Sequence, residues 1–373
     1  MMKNKIESIQ ILRGLAALSV VMFHYRFYLV PDGTDLTIPD QLFGWGAIGV
    51  DLFFVISGFI MVYVTKDKKH GAKTSIKFII NRLTRILPTY YVILLFAFLT
   101  GGAMSIFHYP EKLSNLISAL TFYPYLTKPA PLYLPDSGMY NARWTLNYEI
   151  YFYLAFSICL LVKPRIIALC TWFLLPVALA YSLTSTFTMS THGYDFSSVI
   201  LRFLTNPIIL EFGIGILAGH AYLYLQNKDI LKSGYLSVLC LAFIAAGIAL
   251  GHLESYNVIS ASAFFFLVLF FALQNDRVLK FTPKPIIILG NISFSWYLIH
   301  NPLAAFISDK VEKIFPGVMH TTTGFVILLA ASIFVAQLSH KYLEVELTNR
   351  LRYFLHKITS LISNKAKENT QIN

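Results

Sequence analysis

The sequence predicts an all-α fold: a polytopic membrane protein of about ten transmembrane helices, with both termini cytoplasmic. Three observations predict it. Of the 373 residues, 56% are hydrophobic and only 13% are charged, against roughly 25% charged in ordinary soluble domains. Apolar runs recur along the chain, and several reach the ~20 residues that a helix needs to cross a ~30 Å hydrocarbon layer. The third observation is where the cations fall. With ten spans, both tails and the even-numbered gaps share one side, and these, counted with the first turns of the third and fifth spans, hold every Lys and Arg except Arg13, Arg26, Lys112, Lys128, Arg143, Arg202, Lys310 and Lys313. Loops rich in Lys and Arg are retained in the cytoplasm. The net charge of +11 therefore records topology, and no nucleic-acid partner is needed to explain it.

The first span, 9–30, follows Lys3 and Lys5; Arg13 and His24 inside it, with no small-residue cleavage site after it, argue against a removed signal peptide. The second, 46–65, opens with GVDLFF and carries Ser57 and Gly58, small residues that allow helices to approach closely. The third, 79–100, follows the basic stretch 66–85, and the longest loop, 101–145, comes next. Within that loop SNLISALTFYPYL (114–126) is apolar but too short to cross, and it runs into Pro124 and Pro129, which predicts a re-entrant or surface helix. Trp144 is an interface anchor for the fourth span, 146–162. Further spans are expected at 165–184, 200–224, 235–251, 256–273, 286–306 and 322–340. There is no internal repeat, which weakens an inverted-repeat transporter reading. Residues 1–345 make one membrane domain and 346–373 a cytoplasmic tail, disordered from Ile358 onward. Cys159, Cys170 and Cys240 all lie in apolar runs without C-x-x-C spacing, so neither a disulfide framework nor a metal site is expected.

Ionisable groups inside a span cost several kcal/mol unless they face a polar cavity or a partner. They are Arg13, His24, Asp51, Glu149, Glu211 and His300, with Arg82 and Arg85 at one entrance. Arg13 and His24 are eleven residues apart, so they share one helical face about 16 Å apart along the axis. By the same rise His24, His300, Asp51 and Glu149 fall in the outer part of the membrane, where a histidine beside a carboxylate makes a general base. Arg82 and Arg85, at i and i+3 in the first turns of a span, present two guanidiniums and a helix N-terminus to an anion. Glu211, near mid-membrane, is a secondary candidate.

Together these segments resemble the integral-membrane acyltransferase family 3, whose members acylate sugars of bacterial surface polysaccharides and related acceptors. The resemblance is carried by IQILRGLAALSVVMFHY, GVDLFFVISGFIM, NRLTRILPTYY, WTLNYEIYFY, LGNISFSWYLIHNPL and HKYLEVELTNR, in that order. It implies that an acetyl group passes from cytoplasmic acetyl-CoA to a glycan or lipid-linked glycan at the outer side of the bacterial inner membrane, with no metal required. By position His24 is similar to the family's catalytic histidine and Arg13 to its motif partner. Arg82 and Arg85 resemble the pair associated with the CoA donor, and Glu149 and His300 match motif positions. The family often ends in Glu-x-Pro, whereas here Glu344 is followed by Val345 and Glu346. Larger relatives carry a C-terminal extramembrane esterase-like domain, for which this chain leaves no room.

The expected mechanism follows. CoA phosphates sit at Arg82 and Arg85, and the pantetheine arm threads a continuous polar bore toward His24. Neutral His24 takes the proton of an acceptor hydroxyl while Glu149 or Asp51 orients the imidazole; an acyl-histidine intermediate is the variant. Two other functions fit the buried charges: a polysaccharide-precursor transporter or flippase, and the same fold using succinyl-CoA.

Overall fold

The computed structural model describes residues 5–135, 140–228, 234–354 and 357. They are helical throughout their ordered elements, with one isolated antiparallel bridge, Ser190 to Asn257. The helices that concern the site are α1 (Glu7–Tyr25), α2 (Thr37–Phe43), α3 (Gly49–Thr65), α4 (Ala72–Thr100), α5 (Ala103–Ile106), α6 (Pro110–Thr121) and α7 (Trp144–Cys159). After them come α8 (Arg165–Thr184), α9 (Val199–Thr205), α10 (Ile209–Leu225), α11 (Tyr235–Ala249), α12 (Val258–Leu273) and α13 (Asn275–Phe281). The last two are α14 (Lys284–Glu312) and α15 (Thr322–Ser339), and α15 runs on through a π-helical stretch, His340–Leu347, to Phe354.

Every segment expected to span is helical, but six of the resulting helical segments are long and apolar enough to cross a membrane, or seven if α12 and α13, bent by 87°, form one broken span. The ten expected spans exceed this for physical reasons. α11 has 15 residues and α7 has 16, short of the ~20 needed. α14 has the length, 29 residues, but Asn291, Ser293, Ser295, His300 and Asn301 break its apolarity. The apolar stretch of the long loop forms the 12-residue α6, closed by Phe122 in the left-handed region. The buried Arg143 side chain holds α6, donating to Asn115 O at 3.3 Å and to Ser118 Oγ at 3.2 Å. The boundary expected at 345 falls inside a continuous helix, and the tail beyond residue 357 lies outside the described residues.

Glycines set the crossings. A Cβ on Gly14 of α1 would lie 2.6 Å from Gly290 N, and one on Gly290 of α14 2.2 Å from Gln10 O. The two backbones therefore touch, as small residues allow between membrane helices. α3 meets α10 in the same way, since a Cβ on Gly58 would lie 2.2 Å from Phe212 O and one on Gly215 2.0 Å from Val55 O. At the periphery α8 exposes Ile166, Ile167, Leu174 and Leu175. An outward face of this kind suits hydrocarbon surroundings.

Candidate active site

From the Gly14 and Gly290 contact, α1 and α14 each run ten residues onward to a histidine, His24 and His300. Equal steps of 1.5 Å along two packed helices keep the side chains level. The rings lie 5.0 Å apart between centroids, with His300 Nε2 3.3 Å from His24 Nδ1. His300 is fully buried and Tyr25 donates its hydroxyl to His300 O at 2.9 Å, while His24 is half-buried.

The surroundings fix the tautomers. His24 Nδ1 lies 2.9 Å from Val20 O, and His300 Nδ1 lies 2.7 Å from Tyr297 O. A carbonyl oxygen only accepts, so in each neutral ring the proton sits on Nδ1. His300 Nε2 then carries a lone pair facing the His24 Nδ1–H, which is shared between Val20 O and that nitrogen. The His24 Nε2 lone pair stays available, as a general base requires. If Nε2 takes up a proton, the bond from His24 Nδ1–H to His300 becomes charge-assisted.

Among the described residues no carboxylate holds this position, contrary to the sequence-based expectation. Asp51 accepts the backbone N–H groups of Tyr256 and Asn257, at 3.1 and 3.0 Å, and thereby fixes the turn into α12. Glu211 lies fully buried beside Asp51, across the seam between α3 and α10. Glu149 accepts the hydroxyl of Tyr153, one turn along α7, and sits with Arg13 rather than with His24.

Arg13, Arg82, Arg85, Glu149 and Tyr153 line one cavity of about 800 Å³, counted to its open mouth. Its cations are poorly neutralised. Arg13 donates to Gln10 Oε1 at 3.0 Å, and the Arg82 guanidinium faces the rings of Phe78 and Tyr153 at 5.4 and 5.6 Å. Among the described residues neither forms an ion pair. Arg85 has one loose partner, Glu344, at 3.8 Å. Three guanidiniums so arranged attract a polyanion. The helix dipole adds little, because α4 starts at Ala72. Arg82 is therefore about 15 Å from the N-terminus, and the dipole effect fades within a turn.

Phe53, Phe54, Thr145 and Tyr297 also line the cavity, and neither histidine is part of its lining. The expected continuous bore is not formed here: the cavity stops short of both histidines, at a lining that includes Tyr297. The Tyr297 ring stands 5.8 Å from that of His300 and 5.6 Å from that of Phe53.

Sequence reasoning missed Tyr153, Tyr297 and the role of Glu344, which accepts from Ser295 Oγ at 3.2 Å and pairs with His340 Nδ1 at 2.9 Å. The signals were local: Tyr153 follows Glu149 by four, Glu344 follows His340 by four and Tyr297 precedes His300 by three. Each interval marks one helical face. Among the described residues no group of three or more His, Cys, Asp or Glu converges to hold a metal ion.

Apolar helices around a buried cationic chamber and a histidine pair define a multi-pass membrane protein with an internal polar site. The acyltransferase domain family matches residues 6–340, and the chain belongs to that family. It is 34% identical to the exopolysaccharide production protein ExoZ of Rhizobium meliloti (strain 1021), over 48% of this chain and 51% of that protein. It is 23% identical to the peptidoglycan O-acetyltransferase OatA of Listeria monocytogenes, over 94% of this chain and 57% of that protein. The chain thus spans about half the length of the curated relatives it matches. No solved structure matches it.

Proposed function

We propose that the chain is a membrane O-acetyltransferase that moves an acetyl group from cytoplasmic acetyl-CoA to a hydroxyl of a surface polysaccharide or its lipid-linked precursor. The observation that carries this reading is the pairing of an under-neutralised Arg13, Arg82 and Arg85 chamber with a His24 whose Nδ1 is held by Val20 O and His300, leaving its Nε2 lone pair free. The CoA phosphates belong at the arginines, since a polyanion does not enter lipid without cations. The thioester arm reaches toward Tyr297 and the histidines. His24 Nε2 takes the acceptor proton, and His300 does the orienting that a carboxylate does in other triads. Asp51 acts by holding the turn before α12, and Glu149 by balancing charge in the chamber.

In this reading the enzyme sits in the bacterial inner membrane with both termini in the cytoplasm, as the basic loops favour. ExoZ is named for exopolysaccharide and OatA for peptidoglycan, so a cell-surface glycan is the acceptor class; O-antigen, capsule and exopolysaccharide are its members. Succinyl-CoA is the alternative donor, and a precursor flippase the alternative function.

The test uses the full chain in nanodiscs with radiolabelled acetyl-CoA and extracted glycan precursors. Base-labile acetate on the glycan is expected with the native protein, and its complete loss with His24→Ala. His300→Phe is expected to lower the rate by on the order of 10²-fold. Glycan movement without consumption of acetyl-CoA would favour the flippase instead.

A further inference from the structure

Attack of an acceptor oxygen on a thioester places a negative charge on the carbonyl oxygen. Fixed donors aimed at that charge supply much of the catalysis in acyl transfer. The cationic end of the cavity is occupied with phosphate recognition in the reading above. Its lining also includes Thr145 and Tyr297, whose buried hydroxyls lie 2.8 Å apart. Both also lie 3.2 Å from Ala142 O.

Two hydroxyls carry two protons. One proton joins the pair. Among the bonds this pair makes, the other is directed at Ala142 O, at a distance longer than the ~2.7–2.8 Å usual for O–H···O. That second bond is weak and between neutral groups, whereas an oxyanion is a much stronger acceptor. The pair can turn its second proton to an incoming oxyanion while keeping its mutual bond. The ring of Tyr297 is held between Phe53 and His300, so the donor is positioned before substrate arrives. One turn of α14 then carries both the hydroxyl at the cavity and the histidine that orients His24.

We propose that the Tyr297–Thr145 hydroxyl pair supplies the oxyanion's hydrogen bond in the transfer, one hydroxyl donating to it and the other holding that donor in place, an inference that rests on the acetyltransferase reading. In the step, the acceptor oxygen forms a bond to the thioester carbonyl carbon and its proton passes to His24 Nε2. The carbonyl π pair moves to oxygen, where it accepts the second proton's hydrogen bond from the Tyr297–Thr145 pair. Collapse of that oxyanion breaks the C–S bond, and the CoA thiolate leaves with the proton from His24.

The test is steady-state kinetics of the full chain in nanodiscs, with acetyl-CoA and the glycan acceptor, for Tyr297→Phe and Thr145→Val. Each is expected to lower kcat by on the order of 10²-fold while the KM for acetyl-CoA stays within about twofold. Tyr297→Phe at native kcat overturns the role, and so does a loss that appears in KM and thermal stability together, the pattern of a packing residue. Should Tyr297→Phe fail to fold, Thr145→Val alone decides by the same criteria. A native protein that transfers no acetyl group overturns the underlying reading; an active native protein beside an equally active Tyr297→Phe overturns only the oxyanion assignment.

Discussion

Arg82 and Arg85 show what a short spacing conveys. The i, i+3 interval places both on one face of α4, and the structure adds Arg13 from α1 to the same cavity. Hydrogen bonds to charged groups contribute about 1.5–3 kcal/mol, so Arg82→Ala and Arg85→Ala are each expected to raise the KM for acetyl-CoA by roughly 10- to 100-fold with little change in kcat. Raising salt should weaken donor binding by the native protein and flatten that dependence in the variants. Equal KM values in native protein and variants would remove the arginines from donor recognition. The histidine pair was only half legible. Arg13 and His24 share a face by simple periodicity, but the group that touches His24 lies 276 residues away, and no local pattern connects the two. A carboxylate was expected beside His24 because carboxylates were the other buried charges; Asp51 instead holds two backbone N–H groups, a need that appears only when α3 and the turn into α12 meet.

Helix crossings decide which of these side chains come level. α1 and α14 approach to backbone contact at Gly14 and Gly290, and both histidines follow ten residues later. A side chain at either glycine pushes the helices apart. Gly14→Val and Gly290→Val are expected to destabilise the protein by about 1–3 kcal/mol, seen as a lower melting temperature in detergent. They should also reduce acetyl transfer by more than the loss of folded protein explains, because the contact between His24 and His300 is broken. Gly58→Val, at the crossing of α3 with α10, should cost similar stability while leaving the specific activity of the folded fraction higher than that of the other two. The sequence marked Ser57 and Gly58 as packing residues from their size, and the α10 seam confirms close approach there. It gave no comparable sign for Gly14 and Gly290, since a glycine in a helix does not state which partner it admits.

At the scale of the whole molecule, the proposed function requires the basic loops and the cavity lined by Arg13, Arg82 and Arg85 to share one side, so that the donor enters where positive charge is retained. With native cysteines replaced, Lys68→Cys is expected to react with a membrane-impermeant thiol reagent only after the cells are opened, and Asp35→Cys in intact cells. The reverse pattern would place the arginine chamber on the wrong side for acetyl-CoA.

Composition and apolar run length fixed a helical, membrane-embedded chain, because the transfer of apolar groups from water and the need to satisfy backbone hydrogen bonds in lipid act over about 20 residues at a time. Periodicity likewise assigned Arg13 with His24, and Arg82 with Arg85, to common faces. Tertiary structure alone set His300 against His24, placed Glu149 with the arginines and ended their cavity short of both histidines. Those outcomes depend on the register and crossing of helices far apart in the chain, which are governed by backbone contact at a few glycines rather than by any property readable within one helix.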